Sequence, residues 1–447
     1  MSRLVIVSNR VPPPRERGQL AGGLAVALRE AIIGRETLWF GWSGAHTPEP
    51  ATAPRVIKAG RVTFATIDLQ QKDYEGYYRG FSNGMLWPLF HHRMGLAEFR
   101  REDLAAYRRV NDAFAVALAP LLRPGDVVWV HDYHLIMLGA ALRRRGVSCR
   151  IGFFLHVPFP PRAIYDALPQ GEALLADFGA YDLIGLQTEE DCGNLNDLLA
   201  RGGIAAPVEA FPIGIEPDAF ASEAREAEQG PEAQRLRESL SGRALILGID
   251  RLDYSKGIPQ RFLGFDRLLK RFPEHRNRVT FLQIAPVSRG DVAQYRTLRR
   301  ELDELAGRIN GEHAEFDWVP LRYLTQTMPR PTLAGFQRVA SIGLVTPLRD
   351  GMNLVAKEFV AAQDPTNPGA LVLSHFAGAA REMEGAIMVN PYDPDETAEA
   401  LHIALTMPES ERRVRWTQMW SAVRRNTAGS WARSFLARLE QIAAQAA

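Results

Sequence analysis

The sequence predicts an α/β fold built as two doubly wound domains, each on its own parallel sheet. Three observations carry that expectation. Short continuous runs of Val, Ile and Leu recur along the 447 residues, the pattern of strands buried on both faces. Helix-like stretches separate these runs, as parallel strands require. One polar, charged segment, Glu216–Arg243, parts the runs into two sets.

In chain order, the first set is Leu4–Ser8, Val127–Val130, Ile151–Leu155, Leu183–Leu186 and Phe211–Ile215. The second is Ala244–Ile249, Val279–Ile284, Ile342–Val345, Ala370–Leu373 and Ile387–Val389. Each is expected to be a strand. Glu216–Arg243 is poor in large apolar groups and reads as an exposed linker or a surface helix at a boundary. The expected domains are 1–220 and 240–447, and the helical tail after Pro408 can pack back across the first. No internal repeat or low-complexity tract is visible.

Composition narrows the function. Lys+Arg is 53 and Asp+Glu 52, a net charge of +1, which argues against nucleic-acid binding by bulk electrostatics. Two cysteines, Cys149 and Cys192, exclude a disulfide-built scaffold. The apolar run near the N-terminus is too short for a signal peptide. No window approaches the roughly 18 apolar residues of a membrane span, so the cytoplasm is the expected compartment. Only five residues are lysines, Lys58, Lys72, Lys256, Lys270 and Lys357, among 53 cations. A lysine inside a motif then suggests that a compact point charge is wanted there.

Open parallel sheets bind ligands beyond the carboxyl ends of their strands, so the residues after each run matter most. Ser8-Asn9-Arg10 ends the first, and Ala21-Gly22-Gly23-Leu24 opens a helix after it. A Gly pair at a helix N-terminus suits a phosphate; a plain tight turn has the same letters. Tyr77–His92 is dense in aromatics and glycines with neither helical nor strand period, and reads as an irregular loop. Its rings suit a sugar face or a small core under the loop. Trp129–His134 and Leu155–Pro160 end two more strands. His131, Asp132 and His134 would splay in different directions as metal ligands and lack a completing Cys or Glu, so a polar ridge facing a sugar is preferred.

In the second half, Arg251 and Lys256 follow one strand just before a helix, where a diphosphate or a surface ion pair with Asp250 or Asp253 is expected. Thr346–Glu358 reads as strand, Gly turn and helix start. Asp350 and Asn353 are good caps there, and Gly351 lets a ligand approach the backbone. Glu358 can take ribose hydroxyls or balance the helix dipole. The D-x-D at Asp393-Pro394-Asp395 precedes a helix and reads as a cap rather than a metal clamp.

These motifs together resemble the trehalose-6-phosphate synthase family, retaining glycosyltransferases of GT-B architecture, from Val5 to about Leu405. The matching segments are Ser8-Asn9-Arg10, Ala21–Leu24, Trp39–Gly44, Leu86-Trp87-Pro88, Trp129–Leu135, Phe154–Pro160, Arg251–Gly257, Ser288–Val292 and Leu348–Glu358. The resemblance implies two Rossmann-like domains facing a central cleft, UDP-glucose as donor and glucose 6-phosphate as acceptor. It also implies α,α-trehalose 6-phosphate as product, no cofactor and no metal. By motif, Arg10 and Arg289 hold the acceptor phosphate, with Tyr78, Trp87 and Asp132 around the acceptor sugar. Gly22 and Gly23 lie against the donor. His156 and Asp350 touch the transferred glucose, and Arg251 and Lys256 grip the diphosphate. Phe336 meets the base through its backbone. Gly351, Met352 and Asn353 approach the donor, and Leu354, Val355, Ala356, Lys357 and Glu358 bind the nucleotide. A homo-oligomer, dimer or tetramer, is expected, with neither nucleic acid nor membrane as partner. After Pro160 the family would place an acid where Pro161-Arg162-Ala163 stands, and the segment between Asn196 and Phe211 is short.

Three other readings compete. One is a glucosyltransferase that uses glycerol 3-phosphate. Another is an idle sugar-phosphate sensor, which the complete set Arg10, Asp132, Arg251, Lys256, Asp350 and Glu358 disfavours. The last is a glycoside hydrolase, which needs a flanking carboxylate pair that the sequence does not display.

Overall fold

The computed structural model describes residues 2–12, 27–28, 32, 34–49, 53–287 and 293–445. Gly22, Gly23 and Arg289 lie outside them. The chain forms two compact units, Met1–Ile213 with Ala428–Ala447, and Gly214–Thr427.

The first unit is built on β1 (Leu4–Arg10), β2 (Thr37–Thr47), β3 (Arg55–Ala59), β4 (Val62–Gln70), β5 (Val127–His131), β6 (Arg150–Phe154), β7 (Leu183–Leu186) and β8 (Val208–Ala210). Their order is β3-β4-β2-β1-β5-β6-β7-β8. Every pairing is parallel except the β3–β4 edge hairpin. The second unit holds β9 (Ala244–Ile249), β10 (Val279–Ile284), β11 (Leu321–Leu324), β12 (Ile342–Val345), β13 (Ala370–Ser374) and β14 (Ile387–Val389). They are parallel throughout, in the order β11-β10-β9-β12-β13-β14. Both sheets are doubly wound and Rossmann-like, the GT-B type of domain pair.

Two expectations needed correction, and one pair of alternatives was decided. Phe211–Ile215 is not a strand. Phe211, Ile213 and Ile215 are buried, but after the Phe211 N–H, which bonds the Leu186 carbonyl, the pairing to β7 stops: the Ile213 N–H goes to the Gln187 side chain and Ile215 bridges Thr427. Of the two readings of Glu216–Arg243, linker or surface helix, the second holds. The segment folds as helices Pro217–Glu228 and Pro231–Leu240, whose Phe220, Ala224, Ala233, Leu236 and Leu240 are buried. The stretch starting at Tyr77 is not an irregular loop. Glu75–Leu86 is a π-helix, closed by the Trp87 N–H on the Ser82 carbonyl, and Trp87–Phe90 continues it as one α-turn. Its wider turn buries Tyr77, Phe81 and Met85 on one side. Gly76, Gly80 and Gly84 interrupt the segment, and glycine weakens any helical reading of a sequence, so the sequence pattern pointed to no element.

The last helix, Ala428–Gln445, belongs to the first unit and covers β6 and β7. A Cβ on Gly152 would lie 2.8 Å from the Phe435 ring, as would one on Gly185. The two glycines therefore admit that fully buried ring, worth about 1.5–3 kcal/mol. No helix among the described residues is long and apolar enough to cross a membrane.

Candidate active site

Strand order reverses between β1 and β5 in the first sheet and between β9 and β12 in the second. At such switch points a crevice opens beyond the carboxyl ends of the two flanking strands. The singled-out residues fall there: Arg10 ends β1, Asp132 follows β5, Arg251 and Lys256 follow β9, and Asp350 follows β12.

In the first unit, Arg10 is exposed and its guanidinium lies 5.8 Å from the Trp42 ring centre. Trp42 packs on Tyr74, Tyr74 stacks on Tyr78 at 5.2 Å, and Tyr78 stacks on His134 at 5.6 Å and 9°. His134 packs on Tyr133 and Tyr133 on Trp87. One row of rings thus joins Arg10 to Trp87. Tyr78 is half-buried, while Trp87 is 5% exposed, so it can meet a ligand only at its edge. Asp132 has φ 77° and ψ 164°, a region that side chains avoid at about 1–3 kcal/mol. Its main chain is held by the Phe154 carbonyl and the Leu135 N–H, and its Oδ1 accepts from the His156 N–H at 3.3 Å. Burial pulls the His156 imidazole down to about 3 and His131 well below the usual histidine range. Both rings are therefore neutral.

In the second unit, Lys256 Nζ lies 2.5 Å from Asp350 Oδ2, which also accepts from Asn353 Nδ2 at 3.0 Å. Burial works against the ammonium, but the Asp350 and Asp250 carboxylates outweigh it and raise its basicity. Asn353 (φ 84°) caps the helix Leu354–Ala362 by accepting from the Ala356 N–H at 3.2 Å. The other first-turn N–H groups there suit an anion. The loop Asp350–Asn353 is bonded to 376–379 through the Asp350 and Gly378 N–H groups and through Ala379 N–H to the Met352 carbonyl. A Cβ on Gly378 would lie 1.8 Å from the Gly351 carbonyl, so only glycine lets the two loops lie this close. Arg251 is exposed.

Lys357 is different from its neighbours. Its ammonium is fully buried and paired with Glu382, and burial lowers its basicity. Its side chain anchors the helix, which leaves the main chain as the part it can offer a ligand. Glu358 is half-buried, and burial raises its carboxyl to about 7 despite Arg330. The Gln337 side chain hydrogen-bonds it, which brings the helix Arg330–Val339, with Phe336, to Glu358. Gly351, Met352, Asn353 and Ala356 are buried, and Leu354 and Val355 half-buried.

Asp393 caps its helix by accepting from Asp395 and Glu396 N–H, while Asp395 pairs with Arg271. Two clusters among the described residues have the donor spacing of a metal site. Neither includes His131, Asp132 or His134. Asp266, Glu312 and His313 already face Lys270 and Arg308. Glu274 and His275 precede β10, at the opposite ends of the strands, and His402 of the helix Pro394–Thr406 meets His275 there.

Sequence reasoning missed Arg261. It is fully buried and bonds Thr346 Oγ1 (3.0 Å), Gln283 Oε1 (2.9 Å), Asp250 Oδ2 (2.9 Å) and the Lys256 carbonyl (3.3 Å). It thereby ties the β9, β10 and β12 ends together. The signals were an arginine one turn before Phe265 and Leu268 on the apolar face of Ile258–Arg271, and a glutamine inside the apolar run of β10.

A family model described as Glycosyltransferase family 20 matches residues 2–441. A trehalose-6-phosphate synthase of Sinorhizobium fredii is 48% identical over 453 residues, 98% of each chain. An alpha,alpha-trehalose-phosphate synthase (UDP-forming) from Burkholderia xenovorans, solved with glucose-6-phosphate, superposes with TM-score 0.95 at 46% identity, covering 98% of this chain and 100% of its own. An E. coli structure bound with UDP-2-fluoro glucose does so with TM-score 0.93 at 45% identity, covering 98% and 99%. With almost its whole length matched and the motif residues gathered at two strand-order reversals, the chain belongs to glycosyltransferase family 20.

Proposed function

We propose that this chain transfers the glucosyl group of UDP-glucose to the anomeric hydroxyl of glucose 6-phosphate with retention, giving α,α-trehalose 6-phosphate and UDP. The observation that carries the reading is the pair of switch-point constellations: an exposed arginine with an aromatic row on one sheet, a lysine–aspartate pair with a capped helix on the other. The acceptor is taken through Arg10, Tyr78, Trp87, Asp132 and Arg289, and the donor meets Gly22 and Gly23.

The chemistry follows from the groups. Arg251 and Lys256 meet the diphosphate, and the helix N-terminus at Leu354 adds about half a positive charge. Preorganised positive groups stabilise the charge that develops as the bond from glucosyl C1 to the diphosphate oxygen breaks. Asp350, held by Lys256 and Asn353, orients the sugar rather than attacking it. The acceptor hydroxyl forms its bond to C1 from the leaving group's own face and passes its proton to the departing diphosphate oxygen. Glu358 accepts from the ribose hydroxyls, while Phe336 meets the base and Leu354–Lys357 the nucleotide through their main chain. His156 bonds a hydroxyl of the transferred glucose. The enzyme works in the cytoplasm, where nucleotide sugar and sugar phosphate meet, and assembles as a homo-oligomer.

UDP release measured with UDP-glucose and a panel of acceptors tests this reading. Release that depends on glucose 6-phosphate supports it. Release with glycerol 3-phosphate alone assigns the acceptor otherwise, and none with any acceptor favours a sensor.

A further inference from the structure

His156 has two ring nitrogens, and its surroundings specify which one carries the proton. Gln187 directly follows β7 and is 2% exposed. Its Oε1 accepts the Ile213 N–H at 2.9 Å. An amide oxygen only accepts and an amide nitrogen only donates, so this main-chain donor orients the Gln187 amide. Gln187 Nε2 then faces His156 Nδ1 at 3.4 Å, which makes Nδ1 the acceptor and leaves the proton on Nε2. His156 Nε2 lies 3.1 Å from His131 Nδ1, to which it donates. His131 in turn carries its proton on Nε2, a buried atom with no hydrogen-bond partner among the described residues.

We propose that Gln187 is a positioning residue that holds His156 in the Nε2–H tautomer, so that the imidazole offers the transferred glucose a donor and not an acceptor. This rests on the proposed reading of His156 at the sugar. Ile213, where the series of bonds begins, is the last residue before the chain passes into the second unit. No second proton disturbs the order. Burial keeps both imidazoles neutral, and the groups facing them are the Asp132 carboxylate, through the His156 main chain, and the rings of Phe154, Trp129 and Trp431. In the resting protein His131 accepts the Nε2–H that a sugar hydroxyl oxygen takes when the donor binds.

The test is 15N NMR of the full-length enzyme with labelled histidine, the His156 signals assigned by their loss in His156→Gln. The expected wild-type result is a protonated Nε2 and a bare Nδ1. Gln187→Glu keeps the size and the acceptor for Ile213 N–H but turns a donor into a second acceptor, so the His156 proton should move to Nδ1. Its kcat should fall about tenfold or more, with KM for glucose 6-phosphate nearly unchanged. A wild-type proton on Nδ1, or a tautomer that stays the same in Gln187→Glu, overturns the proposal. The wild-type spectrum needs no variant to fold and no turnover. An enzyme inactive with every acceptor would therefore remove the catalytic reading while leaving the tautomer measurement decisive for this one.

Discussion

Lys256 and Asp350, 94 residues apart in the sequence, meet at 2.5 Å between the loops that follow β9 and β12. The contact spans the switch point of the second sheet. In the proposed reaction it places the cation for the leaving group beside the carboxylate for the sugar before any substrate arrives, so little reorganisation remains for the chemical step.

Lys256→Ala is expected to lower kcat by about 10²–10³ while KM for glucose 6-phosphate changes less than about twofold, since a group acting in the transition state alters kcat. Because the proposed reaction takes its positive charge from Arg251 and Lys256, EDTA should leave most turnover intact. Steady-state kinetics check both. Chelation that abolishes turnover, with Mg²⁺ or Mn²⁺ restoring it, would contradict the assignment.

Glu358 gives the enzyme a pH signature. Its carboxyl is raised from an ordinary 4.5 to about 7 by burial. Ribose hydroxyls are bound best by the ionised form, so UDP-glucose affinity should rise as pH increases through 7. Ionisation alone predicts about a tenfold gain from pH 6 to 8. The stability effect has the opposite sign. A raised carboxyl stabilises the unliganded fold in full below about 4.5, and that contribution is lost as pH rises through about 7. Calorimetric titration with UDP-glucose, whose diphosphate does not titrate in this range, should show the gain in wild type and a flat profile in Glu358→Gln.

Arg261→Met should strongly destabilise the second unit. It takes the bonded partner from the buried Asp250 carboxylate and leaves it only the more distant Lys256 charge, at a cost of about 3–5 kcal/mol. Tm should fall by roughly 10 °C. Melting as high as wild type would show that the arginine does not tie the strand ends together.

Gly378→Ala should weaken the donor selectively. The added Cβ, 1.8 Å from the Gly351 carbonyl, forces the Asp350–Asn353 loop away from 376–379. Kd for UDP-glucose should rise at least about tenfold, a loss of one charge-assisted contact. Kd for glucose 6-phosphate should hold. An unchanged donor Kd would contradict the close packing of these loops.

The sequence was most legible where burial on both faces leaves only one pattern. Leu183–Leu186, Ala244–Ile249, Val279–Ile284, Ile342–Val345 and Ile387–Val389 are strands over the expected residues. Legibility failed at the margins. Arg55–Ala59 is an edge strand with every residue exposed, so no apolar run announces it. Val62–Gln70 alternates between half-buried and buried, unlike the other strands of its sheet. Phe211–Ile215 is as apolar as a strand because it is buried, yet a side-chain acceptor takes the Ile213 N–H. For the site, motif residues at strand ends could be named in advance. The partners that position them could not: Arg261, Gln187 and Gly378 act through contacts between residues far apart in the chain. Burial of Lys357 against Glu382 was hidden for the same reason.

The reaction itself is tested most directly by NMR of the product formed from UDP-glucose carrying 13C in its glucosyl ring and unlabelled glucose 6-phosphate. The account predicts one disaccharide in which both anomeric carbons are α, the label lies in one ring and the phosphate on C6 of the other. A β linkage to the labelled ring, or a labelled product formed with glycerol 3-phosphate and none with glucose 6-phosphate, would contradict it.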